Sequence, residues 1–300
     1  MLGVNTIKIT SEVLRQISEI DEFKGLWKGL DRHTTGLQLL GDVADYGANF
    51  KRVLGPLEEH PITMDMIRII NANQIGQKGL CDFKSKSNQL PISSGNKVFG
   101  TLDVAEPEQV EPLLEKLCKW VNEALDQKAE LHPLIVAAVF TSVFLQIFPF
   151  ETGNLRTVRF LIMLMMLKSG YTYAPYASLA PVMNEKAESF YKALKHNQDS
   201  LENGQPDWSV WIRCFLMLLQ DQKEILHQRL YAKETELRGL SALSSKIMGL
   251  FKEHKRLQMK QIVKLTYGRR ATIKLRLQEL VENGYLVRHG AGRGTWYALV

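Results

Sequence analysis

The sequence predicts a mainly α-helical protein with one short β-hairpin and a small C-terminal module of three helices and two strands. Three observations carry that prediction. Apolar residues recur at spacings of three and four through most of the chain. Residues 76–107 break the pattern: they are rich in Gly, Ser, Asn and Lys, with one β-like run at 96–102. Charge then changes near residue 240. Residues 241–300 hold twelve Lys/Arg against three Asp/Glu, a net of +9, which leaves −3 on the first 240 residues of a chain that totals +6.

Taken in order, residues 10–30 open with a Thr/Ser cap and place Val13, Ile17, Ile20, Phe23 and Leu26 at helical spacing. Residues 36–54 and 63–75 predict further helices, and 76–107 a loop or hairpin. Helices resume at 110–127 and 132–148. The run 156–170, apolar on nearly every side, predicts a central helix surrounded by others. Residues 183–199 and the long run 208–240, charged after Gln220, complete the body. Trp27, Trp120, Trp208 and Trp211 sit among apolar neighbours at helical spacing and are expected in the core.

A chain of 300 residues, 45% hydrophobic and 23% charged, can build a sizeable core and a second module. Residues 1–16 lack the pattern of a signal peptide. The most apolar run, "FLIMLMML" (160–167), is too short to span a bilayer. Cys81, Cys118 and Cys214 lie far apart without metal-ligand spacing. These features predict a cytoplasmic protein with reduced thiols and no membrane partner.

From residue 241 the pattern is two short helices (241–255 and 258–267), a turn and third helix (268–284), then two β-like runs around a Gly-rich tip (285–300). That is the order of a winged helix-turn-helix. Its third helix would carry Arg269, Arg270, Thr272, Lys274 and Arg276 at its start, with Leu275, Leu277, Leu280 and Val281 on its apolar side. Arg288, His289 and Arg293 decorate the wing. Duplex DNA is the expected partner; use as a protein-interaction module is the alternative.

Residues 147–160, "IFPFETGNLRTVRF", place a Pro-Phe turn, Gly153-Asn154, and Arg156 and Arg159 at the start of an apolar helix. These are phosphate-handling residue types at phosphate-handling spacing. The stretch has no His, Cys, Ser, Asp or Lys, and Glu151 is its one acid or base.

Residues 132–159, "HPLIVAAVFTSVFLQIFPFETGNLRTVR", resemble the core of the Fic (Fido) family, whose signature is HPFx[DE]GNGRxxR. The helical order, the hairpin and the C-terminal winged helix extend the resemblance over nearly the whole chain. It implies an N-terminal helical region at 1–75, a Fic-type helical bundle with a β-hairpin flap at 76–235, and a winged helix-turn-helix at 241–300. Most Fic proteins transfer AMP from ATP to a target hydroxyl. The signature histidine is the general base, the acidic residue helps hold magnesium, and the Gly-Asn-Gly turn and two arginines cradle the phosphates.

Pro149, Phe150, Gly153, Asn154, Arg156 and Arg159 match that signature. Phe148 stands at the histidine position and cannot accept a proton. Thr152 replaces the metal-binding acid, so magnesium is not expected. Leu155 replaces the second glycine, where a side chain crowds an incoming phosphate. The auto-inhibitory motif [ST]xxxE[GN] of many Fic proteins would fall at 48–57, with Asn49 or Phe50 near its Ser position and Leu54 at its Glu position.

The resemblance therefore implies a degenerate Fic protein without AMP transfer, a pseudoenzyme with a DNA-binding module and a possible role as a regulator. Gly153, Asn154, Arg156 and Arg159 are its candidate nucleotide or anion ligands, for ATP or another phosphate-bearing molecule. Two alternatives stand beside it: an active adenylyltransferase using Glu151 as a non-standard base, and an interaction scaffold for a target protein. A homodimer is also compatible.

Overall fold

The computed structural model describes residues 4–31, 55–87, 89–94, 97–126, 130–238, 240–251 and 254–300. The helix expected at 36–54, and residues 48–54 of the inhibitory-motif position, lie outside these. The chain divides into two compact units: residues 1–24 with 50–223, and residues 25–49 with 224–300.

The first unit is built on the first two thirds of helix α1 (Ser11–Asp31), helices α2 (Met64–Gln74), α3 (Pro107–Leu125), α4 (Pro133–Ile147), α5 (Asn154–Lys168), α6 (Leu179–Glu185), α7 (Ala187–Glu202) and the first half of α8 (Ser209–Arg238). Between α2 and α3 lies an antiparallel hairpin, β1 (Gln89–Ser94) and β2 (Lys97–Asp103). Its register shifts between Ile92 and Ser93.

Helix α1 departs from its expected stripe at one position. Val13, Ile17, Ile20 and Phe23 are buried, but the stripe continues to Trp27 and leaves Leu26 57% exposed. A step of four from Phe23 keeps the apolar face in line, whereas a step of three rotates Leu26 outward. Trp208 and Trp211 are in the core as expected, with the Trp211 indole donating to Ala138 O at 2.7 Å. Trp120 is only half-buried.

Helix α2 is capped by Thr63, whose hydroxyl accepts from Met66 N. Helix α3 starts three residues before its expected boundary because Pro107 suits the first helical turn and Gln109 Oε1 accepts from Glu106 N at 3.1 Å. Helix α5 is buried from Thr157 to Leu167 except at Arg159, as its all-round apolar sequence predicts. The helix expected over 183–199 is two helices that meet at Lys186. No helix among the described residues is long and apolar enough to cross a membrane. Burial pushes the Cys118 and Cys214 thiols up to about 12 and about 11.

In the second unit, α9 (Ala242–Leu250), β3 (Leu257–Gln258), α10 (Met259–Thr266), α11 (Arg270–Glu282), β4 (Leu286–His289) and β5 (Trp296–Leu299) follow in order. The strands form an antiparallel sheet in the order β3-β5-β4. Ile247, Phe251, Leu257, Ile262, Ile273, Leu277, Leu280 and Leu286 close one core between helices and sheet. Each such side chain contributes about 1.5–3 kcal/mol through burial.

Candidate functional site

Residues 148–153 link α4 to α5. Helix α4 ends because Phe148 turns left-handed (φ 48°, ψ 62°) while its N–H still donates to Phe144 O at 2.9 Å, and Pro149 has no N–H to continue. The chain dips inward at Phe150, which is fully buried. Asn154 holds it there: Nδ2 donates to Phe150 O at 2.7 Å and Oδ1 accepts from Phe150 N at 3.1 Å.

Gly153 caps α5 with φ 86°. A Cβ there would lie 2.8 Å from both Asn71 Nδ2 and Ile75 Cγ2 of the α2 end, so the position requires glycine on two counts. Asn71 Nδ2 is held in place by Thr152 O and Thr157 Oγ1, each at 3.0 Å.

The segment before the hairpin lies along the loop. Lys84 N donates to Pro149 O at 2.9 Å, and Ser85 N donates to Glu151 Oε1 at 3.0 Å. The Phe83 and Phe150 rings are 5.8 Å apart. The Lys84 side chain runs beneath, 3% exposed, and Nζ donates to Ile147 O at 3.4 Å. Desolvation lowers its pKa, opposed by the carboxylates of Glu106 and Glu151. A cation at the last carbonyls of α4 also complements the helix dipole.

Phe148 is a half-buried hydrocarbon. Glu151 is exposed, its carboxylate engaged by Ser85, and Thr152 is exposed. Leu155 is half-buried. Arg156 is exposed and Nη1 donates to Gln74 O at 2.9 Å. Arg159 is half-buried and bears on Tyr191, whose phenol is raised by burial against the opposing pull of that guanidinium. Asn154 contributes its amide to the loop itself. The first bond of α5 is Thr157 N to Gly153 O, so the N–H groups of Asn154, Leu155 and Arg156 have no partner within the helix. His132 caps α4, its Nδ1 accepting from Leu134 N and its Nε2 3.3 Å from Asp21. Asp21 also accepts from the Tyr171 hydroxyl at 2.5 Å.

In the second unit Arg269, Arg270, Thr272 and Lys274 are exposed at the start of α11, while Ile273, Leu277 and Leu280 are buried on its other side. Leu275, expected on the apolar side, is 52% exposed and shares the outer face with Thr272. Arg276 differs from its neighbours: it is half-buried and its Nη1 lies 2.6 Å from Glu279 Oε2. Arg293 lies in the short turn Gly292–Gly294 between β4 and β5. On the sheet, His289 stacks on Trp296 with ring centres 4.0 Å apart, and Arg256 lies 5.8 Å from the Trp296 ring centre.

Two residues of the loop's setting escaped the sequence reading: Lys84 and Asn71. Lys84 and Asn71 act across 63 and 81 residues of chain, on Ile147 and Thr152, and carry no local motif.

The fold is similar to that of a Fic family protein from Desulfovibrio desulfuricans G20, with a TM-score of 0.54 at 14% identity over 98% of this chain and 97% of that one. A Fic domain containing signaling protein from Bacteroides thetaiotaomicron VPI-5482 also matches, with a TM-score of 0.48 at 17% identity over 75% of this chain and 98% of that one. The family model of Fic/DOC matches residues 61–166, from the start of α2 through most of α5. The buried loop, its Asn154 staple and the α2 end that meets Gly153 all lie within the stretch that the Fic/DOC family model matches.

Proposed function

We propose that this chain is a Fic-fold protein without AMP transfer, whose C-terminal unit is a winged helix that binds duplex DNA. The Fic family is usually associated with AMP transfer. Against transfer here stands the chemistry of the loop: a hydrocarbon at residue 148, a neutral hydroxyl at 152, and a Glu151 carboxylate turned to Ser85 N. A missing general base removes about 10²–10⁴ in rate. The donor set also suits a magnesium-bound triphosphate poorly, because its one carboxylate is engaged and its neighbour is neutral. The anion ligands that fit are Arg156, Arg159 and the N–H groups of the first α5 turn, with the Gly153 bend and Asn154 shaping them.

The observation that carries the DNA-binding reading is the two-sidedness of α11. Its inner face is sealed in the core while Arg269, Arg270, Thr272 and Lys274 stand exposed together at its start. A helix so placed presents cations to phosphates and short side chains to base edges. The test is fluorescence anisotropy with a labelled mixed-sequence duplex at low salt. The unaltered chain binds, and the double variant Arg269→Ala, Arg270→Ala binds far more weakly. Absence of binding at low salt would reassign the unit to protein interaction.

A further inference from the structure

We infer that Tyr267 is a duplex-contact residue, its ring lying against the sugar–phosphate edge and its hydroxyl donating to a backbone phosphate. This deepens the DNA-binding reading and rests on it.

Tyr267 ends α10 in the left-handed region (φ 56°, ψ 21°), a conformation that Gly or Asn adopts far more readily. The residue that could take it without strain, Gly268, stands one position later for another reason. A Cβ on Gly268 would come within 3.1 Å of Ile273 Cδ1 and 3.2 Å of Ile273 Cγ1, and Ile273 is fully buried. Glycine is therefore spent on packing the turn against α11, and the strained position falls to tyrosine. Tyrosine gains almost no burial in return, since it is 90% exposed. A residue that strains the backbone and buries nothing is held for a contact outside the fold.

The surroundings name the chemistry of that contact. Lys246 Nζ is 5.9 Å from the Tyr267 ring centre and donates to Thr266 O at 3.1 Å. Lys264, Arg269 and Arg270 are exposed close by in the chain. Residues 254–278 contain no Asp or Glu. A phenol in a field of one sign meets a polyanion, where its hydroxyl is a neutral donor to phosphate and its ring a flat apolar surface.

The experiment measures duplex affinity, salt dependence and thermal unfolding on the full chain and on Tyr267→Gly and Tyr267→Phe. Tyr267→Gly relieves the backbone, so its melting temperature stays level or rises while affinity falls about tenfold or more. Tyr267→Phe keeps fold and ring and loses the hydroxyl, so affinity falls by about tenfold. Neither changes the slope of log K against log salt, because a neutral donor releases no counterion. Equal affinity of both variants and the unaltered chain overturns the inference and leaves DNA binding standing. If the unaltered chain binds no duplex at low salt, the DNA-binding reading falls and takes this inference with it. Should Tyr267→Gly melt lower, Tyr267→Phe decides alone.

Discussion

The side-chain amide of Asn154 grips the backbone of Phe150 at both polar atoms, accepting from its N–H at 3.1 Å and donating to its carbonyl at 2.7 Å. Phe150 is fully buried and Asn154 is 2% exposed, so no water competes for these bonds. The amide therefore acts on the loop before any ligand could meet it, and the loop is a preformed object.

Asn154→Ala should cost about 2–4 kcal/mol of stability, because it leaves a buried N–H and a buried carbonyl without partners. Urea unfolding monitored by circular dichroism measures this. A cost below about 0.5 kcal/mol would mean that the loop is held by its other contacts, those of Asn71 and Lys84.

Phe148→His should not create AMP transfer. The base alone lacks the carboxylate at 152 and still faces Leu155, so phosphates are not held in line. The same change should leave stability level or slightly higher, since histidine tolerates φ near 48° better than phenylalanine does. Transfer of labelled AMP is first expected, if at all, from the triple change Phe148→His, Thr152→Asp, Leu155→Gly. Activity from the single change would refute the loss of the site.

Cations of the C-terminal unit should separate by their geometry. If about four to six of them meet phosphates, log K against log salt has a slope of roughly −4 to −5, and Arg293→Ala at the tip between β4 and β5 flattens it by about one. Arg270→Ala and Lys274→Ala should each cost about 1–3 kcal/mol, preferentially on a specific site. Arg276→Ala should change binding little, because Glu279 already holds that guanidinium. Anisotropy titrations at four salt concentrations distinguish these outcomes.

Asp207 carries a pH dependence of stability. Its carboxyl is held at about 2, below the ordinary 3.8, by the hydrogen bond with His196 and by those from Ser209. The His196 contact is 3.0 Å and Ser209 N donates to Oδ1 at 2.9 Å. Because the folded pKa is depressed, the stabilisation is full above about pH 4 and fades as pH falls toward 2. Asp207→Asn should thus melt lower than the unaltered chain at neutral pH, and the gap should close in that acid window. A gap independent of pH would point to packing instead.

Local signals account for what was legible. Thr63 and Pro133 mark helix starts by chemistry acting within one turn, so those boundaries read well, whereas the start at Pro107 fell inside the expected loop. The Gly-Asn and two-arginine pattern of the loop is also contiguous in sequence. The break at Lys186 was not legible, because residues 179–202 are helical on both sides of it and no Gly or Pro marks the join. Leu275 was misplaced because a Leu every few residues on α11 does not say which face is inward; Ile273 and Leu277 decide that only once packed. The pairing of Arg276 with Glu279 sits at ordinary helical spacing, where geometry alone separates a spent charge from an available one.

The amine of Lys84 is sealed under residues 147–151, and solvent reaches only 3% of the residue. Acylating reagents that reach surface lysines freely must wait for that cover to lift. The half-time of Lys84 modification, read by mass spectrometry against the exposed Lys274, is therefore a clock for the opening of the loop.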